Sequence, residues 1–326
     1  MSPIAPLIEV VVPTYNMESY IAQTLDSILS QTIALRVHVV DDGSTDRTAE
    51  VVAPYLKDER VEYHNRGHRG VAGTKNSVLA SLQAPFVAFF DADDLMLPDY
   101  LTRHVALLQR HPEWVGVTAD YQNFSKAGPY RQTHFATCPL LQAELAKSRG
   151  AQPDGLASAV TFDALSAKHL LVQENFSITG SLILRTLCVQ KANGFDASLS
   201  GSEDFDLLWR VLAQGPLGVS SSLAFRRRIH EGNSTNNVAK MLKYKMISRR
   251  KLRRLELDAR IRRELTQAVA AFSDALAYEQ LRQGWPRGLG AFARAVACGA
   301  RAGRAPTMAL KAFVQPLRGF AGVKKC

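Results

Sequence analysis

The sequence is poor in cysteine, and the spacing of its cysteines excludes the common cysteine-based sites. It has four cysteines in 326 residues, at Cys138, Cys188, Cys298 and Cys326. No two of them form a CxxC pair, and none joins a Cys/His metal-binding pattern. Such scattered thiols are typical of a reducing compartment, so we expect a cytoplasmic protein without a disulfide framework.

The sequence also lacks long apolar runs. No stretch reaches the roughly 18 uninterrupted apolar residues of a membrane-spanning helix. The first six residues, MSPIAP, contain neither a basic region nor an apolar run, so we do not expect a signal peptide. These absences predict a cytoplasmic protein, or one bound peripherally to the inner face of the cell membrane.

Two phosphate-binding motifs are missing. No GxGxxG follows the first predicted strand, and no GxxxxGK[ST] occurs, which argues against a dinucleotide-binding Rossmann domain and against a P-loop NTPase. The composition, 46% hydrophobic and 21% charged, nevertheless predicts an ordinary buried core.

The net charge of +10 is unevenly distributed. Residues 1–238 contain 20 Lys/Arg and 25 Asp/Glu, a net charge of −5, whereas residues 239–326 contain 20 Lys/Arg and 5 Asp/Glu, a net charge of +15. We therefore predict a mildly acidic domain over residues 1–237 and a basic extension over residues 238–326.

Four short apolar runs alternate with helical patterns in the first hundred residues. They span residues 7–12, 35–40, 60–64 and 86–90, and each is followed by a polar loop. This alternation predicts a parallel sheet with right-handed crossovers. Residues 178–184 and 219–229 predict later strands, while residues 121–175 give no clear assignment.

The fourth run ends in Asp91, Asp93 and Asp94. In an extended chain Asp91 and Asp93 point the same way, so they either repel each other or share a cation. Carboxylate oxygens suit Mg²⁺ or Mn²⁺. The alternative is a solvated turn before a helix.

Four motifs in order resemble those of the family 2 glycosyltransferases. They are VVPTYN at 11–16, VDDGSTD at 40–46, FDADD at 90–94 and Glu203-Asp204, and the resemblance covers roughly residues 7–235. It implies the GT-A fold, an α/β architecture with a mostly parallel central sheet flanked by helices, here followed by a helical C-terminal extension. It also implies a nucleotide-sugar donor, a divalent metal (Mn²⁺ or Mg²⁺) and inversion at the sugar carbon.

The resemblance assigns expected roles to donor-binding residues. Those at the first two strand ends would hold the base and ribose: Pro13, Thr14, Tyr15, Asp41 and Asp42. Either Asp41 or Asp42 could contact the base, and helix capping is the alternative role for this segment.

Further roles follow for residues around the diphosphate. Asp91, Ala92 and Asp93 would hold nucleotide and metal, with Asp91 and Asp93 as the metal ligands. Lys75 stands where the family often has Arg, and it would keep a positive charge near the phosphates. His230 would contact the phosphates or the metal, or it is an ordinary loop histidine.

The acidic pair Glu203-Asp204 matches the catalytic position, with Asp204 as the base. Acidic residues also favour the first turn of any helix, which is the alternative explanation. The QxxRW sequence of processive members is absent. The resemblance therefore implies transfer of a single sugar, with UDP as the more frequent nucleotide, to a glycan or lipid-linked glycan in cell-surface polysaccharide synthesis.

Two other functions remain open. One is a nucleotide-sugar-binding protein without transfer activity. The other is a sugar nucleotidyltransferase, which would need a Gly-rich loop after the first strand, where this chain has Pro13-Thr14-Tyr15-Asn16.

The basic extension predicts a long amphipathic helix. Its apolar positions recur every three to four residues, at Leu257, Ile261, Leu265, Val269, Phe272 and Leu276. Such a helix can lie on an anionic membrane surface, or it can pack on the catalytic domain or on a second subunit in a homo-oligomer. No nucleic-acid-binding motif is present, so we expect no nucleic-acid partner.

Overall fold

The computed structural model describes residues 5–148 and 159–283, which fold as two units. The first unit ends at His230 and the second begins at Glu231. No helix in the described ranges combines the length and the apolar character needed to cross a bilayer. Cys138 is buried and Cys188 is half-buried, and both are free thiols.

The strands of the first unit are named in chain order. They are β1 Ile8–Thr14, β2 Leu35–Asp41, β3 Val61–Asn65, β4 Phe86–Phe89, β5 Leu95–Met96, β6 Gly116–Ser125, β7 Gly128–Thr133, β8 Ala159–Phe162, β9 Leu182–Arg185 and β10 Leu217–Arg228.

The helices are named in the same way. They are α1 Ile21–Leu29, α2 Thr48–Val52, α3 Gly70–Asn76, α4 Tyr100–Arg110, α5 Pro139–Ser148, α6 Ala164–Glu174, α7 Thr186–Lys191, α8 Glu203–Val211, α9 Val238–Leu255 and α10 Ala259–Gln283.

The four apolar runs near the N-terminus form neighbouring parallel strands, as predicted. The order at this side of the sheet is β3-β2-β1-β4, with β3 at the edge. Each neighbouring pair is parallel. Because the connections pass through helices, the loops after all four strands emerge at the same edge of the sheet.

The other half of the sheet is mixed rather than parallel. Strand β9 runs antiparallel to β4 on one side and to β6 on the other, while β6 and β10 are parallel to each other. The short strand β5 pairs antiparallel with β10. The α/β class with helices around a central sheet is thus confirmed, and the parallel character predicted from the sequence belongs mainly to its first half.

Alternate residues of the first strands face opposite layers of the fold. Val10 and Val12 lie in one core cluster with Ile21, Leu25 and Ile28 of α1. On the other face, the buried Glu9 accepts hydrogen bonds from the backbone amides of Gln83 and Ala84, so the segment after α3 covers that side. Burial on both faces explains why β1 reads as a continuous apolar run apart from Glu9.

The described part of the second unit contains two α-helices, α9 and α10, and the long amphipathic helix predicted from the sequence corresponds to α10. Helix α9 ends at Leu255 and α10 begins at Ala259, so Leu257 lies between them and is 92% exposed. From Ile261 onward the predicted apolar face is correct, because Ile261, Leu265 and Val269 are buried. Residues 284–326 of the predicted extension lie outside the described residues.

Candidate active site

The carboxyl ends of the first strands bring the predicted donor-binding residues to one edge. Thr14 is in register with Asp41, and Asp41 is in register with Asn65. The backbone amide of Asp42 donates to the carbonyl oxygen of Thr14 at 2.9 Å. Parallel pairing therefore places the end of β1 beside the end of β2, where ligands of α/β sheets bind.

The loops after β1 and β2 are tied to each other. The amide of Asn16 donates to Ser44 Oγ at 2.9 Å, and the amide of Thr45 donates to Asn16 Oδ1 at 2.8 Å. The amide of Glu18 donates to Asp46 Oδ2 at 3.1 Å. Asn16 adopts a left-handed conformation with φ of 54°, which asparagine tolerates better than most residues. The two loops thus form one wall of the site.

The carboxylate of Asp42 accepts hydrogen bonds from the residues at the beginning of α3. Its Oδ1 accepts from the amide of Arg69 at 2.6 Å and from the Thr74 hydroxyl at 2.7 Å, and its Oδ2 accepts from the amide of Gly70 at 3.0 Å. An ionised carboxylate has about four lone-pair sites, so Oδ2 retains capacity for one more donor. Asp42 therefore binds backbone amides at the start of α3, which differs from the local capping of the next helix expected for this segment.

Asp41 is also engaged within the protein. Its Oδ1 accepts from the amide of Ser44 at 2.7 Å, and its Oδ2 accepts from the Tyr63 hydroxyl at 2.5 Å. Burial and the Asp41 carboxylate both raise the pKa of Tyr63, so its hydroxyl stays protonated. Asp41 is 1% exposed and Asp42 is 7% exposed, so Asp42 is the more accessible of the two.

Thr14 and Tyr15 present different surfaces to the site. Thr14 Oγ1 is buried and has no hydrogen-bond partner among the described residues. The neighbouring Pro13 continues β1 in register with Val40. Tyr15 is exposed and meets the ring of His68 edge to face, with centroids 5.0 Å apart. An exposed aromatic pair next to an unsatisfied hydroxyl is suited to binding a planar polar ring.

The aspartates after β4 form a turn anchored by α1. Thr24 Oγ1 lies 2.9 Å from the carbonyl oxygens of both Ala92 and Asp94 and can donate to either. Asp94 also donates its amide to the carbonyl of Asp91 at 3.3 Å. Asp91 remains half-buried, whereas Ala92 and Asp93 are buried. The fully buried Thr24 thus fixes the turn that displays the carboxylates.

Burial, and after it the repulsion between neighbouring carboxylates, determines the electrostatics of this turn. Burial and the Asp91 carboxylate raise the pKa of Asp93, although the hydrogen bond from His230 opposes the shift. Burial, Asp93 and Asp91 raise the pKa of Asp94 well above its ordinary value. Carboxylates that oppose each other's ionisation are stabilised by a shared cation, and their hard oxygens fit Mg²⁺ or Mn²⁺.

The end of β10 closes over the aspartate turn. His230 Nε2 lies 2.8 Å from Asp93 Oδ2. Arg228 donates from its amide to Asp94 Oδ1 at 2.8 Å and from Nε to the carbonyl of Asp93 at 2.7 Å. Its guanidinium also lies over the ring of Tyr20, 5.0 Å from the centroid. The predicted His230 therefore reaches the aspartate turn, and Arg228 holds the backbone that brings it there.

Lys75 is buried in an ion pair rather than exposed. Its Nζ lies 3.2 Å from Glu203 Oε1 and 4.9 Å from the centroid of the Phe195 ring, and the side chain is 1% exposed. Burial lowers the pKa of Lys75, but the charges of Glu203, Asp91 and Asp204 outweigh that effect and raise it. Lys75 is therefore a cation at neutral pH. It interacts electrostatically with Asp91 of the aspartate turn and with Glu203 and Asp204 at the start of α8.

Helix α8 places Asp204 in its first turn. Ser202 precedes the helix with φ of 61°, a left-handed conformation that is unfavourable for serine. Asp204 Oδ1 accepts from the amide of Phe205 at 2.7 Å, and the side chain is half-buried. After the left-handed Ser202, the Glu203 side chain points inward to Lys75, and Asp204 remains partly accessible.

Several residues of this edge were not identified from the sequence. They are Thr24, Tyr63 and Thr74. They act through side-chain contacts between segments distant in sequence, which no local pattern reveals. Asp94 was recognised as the third carboxylate of the turn, and Arg228 ends a triple-arginine run, but their contact with each other was not predicted.

We predict that Lys75→Met destabilises the protein by about 3–5 kcal/mol, because it leaves the buried Glu203 carboxylate unpaired. Urea unfolding followed by circular dichroism measures this loss. Lys147→Met is the matched control, since Lys147 and Glu144 form an exposed pair with 69% and 42% accessible side chains. That variant should lose less than about 1 kcal/mol. Equal losses in the two variants would contradict the importance of the buried pair.

The sequence comparisons agree with this geometry. Residues 9–164 match the profile of the family described as Glycosyl transferase family 2. A Validoxylamine A glucosyltransferase from Streptomyces hygroscopicus subsp. jinggangensis is 31% identical over 247 residues, which is 70% of this chain and 58% of that protein. The chain therefore spans little more than half the length of that relative.

Solved structures share the fold at low sequence identity. S. aureus TarS 1-349 in complex with UDP-GlcNAc has a TM-score of 0.58 and 18% identity, over 91% of this chain and 92% of that chain. The mannosyltransferase PcManGT from Pyrobaculum calidifontis, in complex with GDP-Man and Mn²⁺, has a TM-score of 0.59 and 19% identity, over 96% of this chain and 81% of that chain. Residues 9–164 thus match glycosyl transferase family 2, and the chain shares the GT-A-like fold of solved glycosyltransferases.

Proposed function

We propose that the protein is a metal-dependent, inverting glycosyltransferase that moves one sugar from a nucleotide-sugar to a hydroxyl of a glycan or lipid-linked glycan. The observation that carries this proposal is the position of Lys75. Its Nζ lies 3.2 Å from Glu203 Oε1, and the charges of Glu203, Asp91 and Asp204 all raise its pKa. Lys75 thus links a cation-binding turn to a half-buried carboxylate, the two groups that the reaction needs.

The donor would bind across the ends of β1, β2 and β4. Tyr15 and His68 would pack on the base, while Thr14 Oγ1 and the remaining lone pair on Asp42 Oδ2 would bind polar groups of the base or ribose. Complexes of similar fold with UDP-GlcNAc and GDP-Man support a nucleotide-sugar as donor. We favour UDP as the nucleotide.

Asp91 and Asp93 would hold the metal, and His230 would orient Asp93 through their 2.8 Å contact. When bound, Mg²⁺ or Mn²⁺ would neutralise the charge that develops on the departing diphosphate. The solved complex of PcManGT with GDP-Man and Mn²⁺ supports this assignment. Lys75 adds a fixed positive charge behind the turn, without solvent access.

Asp204 would act as the base. It would take the proton from the acceptor hydroxyl while that oxygen forms a bond to the anomeric carbon. The bond between the anomeric carbon and the diphosphate oxygen breaks at the same time, and the nucleoside diphosphate leaves with the electron pair. Attack from the face opposite the leaving group inverts the configuration.

We predict that Asp204→Asn lowers kcat by at least about 100-fold while nucleotide binding stays nearly unchanged, because the amide cannot accept the proton. A coupled assay of nucleoside diphosphate release and a calorimetric titration with UDP and GDP measure the two effects. Glu113→Gln removes an exposed carboxylate paired with His111 and should behave as wild type. Wild-type turnover of Asp204→Asn would refute the role of this residue.

We predict that EDTA abolishes transfer and that Mn²⁺ or Mg²⁺ restores it, since the diphosphate charge would otherwise remain uncompensated. Asp93→Asn should remain weakly active at every metal concentration. Full turnover in EDTA would contradict metal dependence. Tight nucleotide-sugar binding without any turnover would instead favour a binding protein.

The basic side chains of the second unit suggest where the acceptor is found. Lys240, Lys243, Arg254 and Arg262 are exposed on α9 and α10. Because Ile261, Leu265 and Val269 of α10 are buried, we assign membrane contact to these charges rather than to an inserted apolar face. Each basic residue near an anionic lipid surface contributes about 1 kcal/mol.

We predict that replacing these four residues by glutamine abolishes cosedimentation with vesicles of phosphatidylglycerol and phosphatidylcholine. A matched variant that changes four exposed basic residues of the first unit, Arg47, Arg110, Lys126 and Arg131, has the same net charge. It should retain binding, and high salt should release the wild type. Equal binding by both variants would contradict attachment through the second unit.

A further inference from the structure

Three potential metal ligands meet on the edge of the sheet, away from the aspartate turn. His38 lies on β2, and Glu62 and His64 lie on the edge strand β3. His38 is in register with Glu62, and His64 is two residues further along β3. Because alternate residues of a strand share a face, all three side chains lie on the same side of the sheet. Strands β2 and β1 separate β3 from β4, which leads into the aspartate turn.

The ligand atoms are spaced for a small tetrahedral ion. His38 Nδ1 lies 3.2 Å from His64 Nε2 and 3.4 Å from Glu62 Oε2, and His64 Nε2 lies 3.5 Å from Glu62 Oε2. Bonds of about 2.0–2.1 Å at tetrahedral angles place the ligands of Zn²⁺ roughly 3.3 Å apart. All three separations are close to that value.

Glu9 contacts the ring nitrogen of His38 that does not face Glu62 and His64. Its Oε1 lies 3.2 Å from His38 Nε2, and its Oε2 accepts from the amides of Gln83 and Ala84 at 2.7 and 2.8 Å. Burial disfavours the ionised form, but the hydrogen bonds from His38, Ala84 and Gln83 outweigh it, and the pKa of Glu9 is lowered. Glu9 Oε1 thus lies within hydrogen-bond distance of His38 Nε2, and Nδ1 is the ring nitrogen that faces Glu62 and His64. Histidines that bind metals commonly have such a partner.

His38 Nδ1, His64 Nε2 and Glu62 Oε2 face one another within 3.5 Å. A cation bound to all three atoms would give each of them a partner.

The site is also accessible on one side. The His38 side chain is 3% exposed, His64 is 20% exposed and Glu62 is 41% exposed. Glu62 Oε1 faces Arg36 Nη1 at 3.5 Å, which leaves Oε2 directed to the histidines. An ion can therefore enter from the Glu62 side, and water can occupy a fourth position.

We propose that His38 Nδ1, His64 Nε2 and Glu62 Oε2 bind one transition-metal ion of the Zn²⁺ class, with Glu9 as the residue that positions His38. Imidazole ligands select Zn²⁺ over Mg²⁺, so this site differs in metal preference from the all-oxygen aspartate turn. The ion would tie the edge strand β3 to β2. The same strand carries Tyr63, which donates to Asp41 at 2.5 Å, so the ion would also steady one wall of the candidate active site.

Zinc binding tests this proposal in full-length, tag-free protein carrying Asp93→Asn, so that the aspartate turn does not contribute. After treatment with EDTA and removal of the chelator, equilibrium dialysis should show one Zn²⁺ per chain. His64→Gln and Glu62→Gln should each weaken binding by more than the roughly 10–100-fold typical of an outer partner, and Glu9→Gln should weaken it within that range. Unchanged Zn²⁺ affinity in His64→Gln would overturn the assignment.

His111→Gln is the matched control for the histidine variants. His111 Nδ1 lies 3.0 Å from Glu113 Oε1 in an exposed His–Glu pair that lacks a third ligand, so its loss should leave Zn²⁺ binding intact. Loss of binding in this variant would mean that Zn²⁺ binds elsewhere and would overturn the proposal.

A Co²⁺ spectrum tests the site without relying on variants that could fail to fold. Bound Co²⁺ should give the intense visible bands of a four-coordinate ion, and Zn²⁺ should displace it with the stoichiometry found by dialysis. A spectrum identical to that of Co²⁺ in water would refute the proposed site.

Discussion

The confinement of Asp91, Asp93 and Asp94 in one largely buried turn is the constraint on which the candidate site depends. Three carboxylates follow a buried strand within four residues, and two of them are buried themselves. The protein holds them together from two directions, through Thr24 of α1 and through Arg228 at the end of β10. These contacts fix the backbone of the turn that displays the carboxylates.

The buried Lys75–Glu203 pair is a second place where charges inside the first unit must be balanced. A lysine that is 1% exposed is costly unless it is paired, and Glu203 supplies the partner. Because Asp91 and Asp204 also act on Lys75, one cation influences both the turn and the first turn of α8. Loss of Lys75 would thus disturb the proposed donor and base regions together.

Sequence reasoning was most successful where local pattern and strand-end geometry agreed. The run before Asp91 predicted a buried strand, and the parallel order of the first four strands followed from its alternation with helices. It did not identify the partners that Lys75 and Asp42 have inside the fold. Lys75 is ion-paired with Glu203, and the carboxylate of Asp42 accepts hydrogen bonds from the beginning of α3. It also did not predict α9, and it placed Leu257 on the apolar face of the long helix, whereas Leu257 lies exposed in the link between α9 and α10.

The sequence by itself determined the α/β class, the parallel first half of the sheet and the location of the aspartate turn, because hydrophobic periodicity and strand ends are local properties. Only the tertiary structure decided which distant residues meet. His230 contacts Asp93 across 137 residues, and Lys75 contacts Glu203 across 128. Likewise, the alternation of Glu62 and His64 is visible in the sequence, but their meeting with His38 depends on the register of β2 and β3. Register and long-range packing are set by the whole core, and so no local pattern contains them.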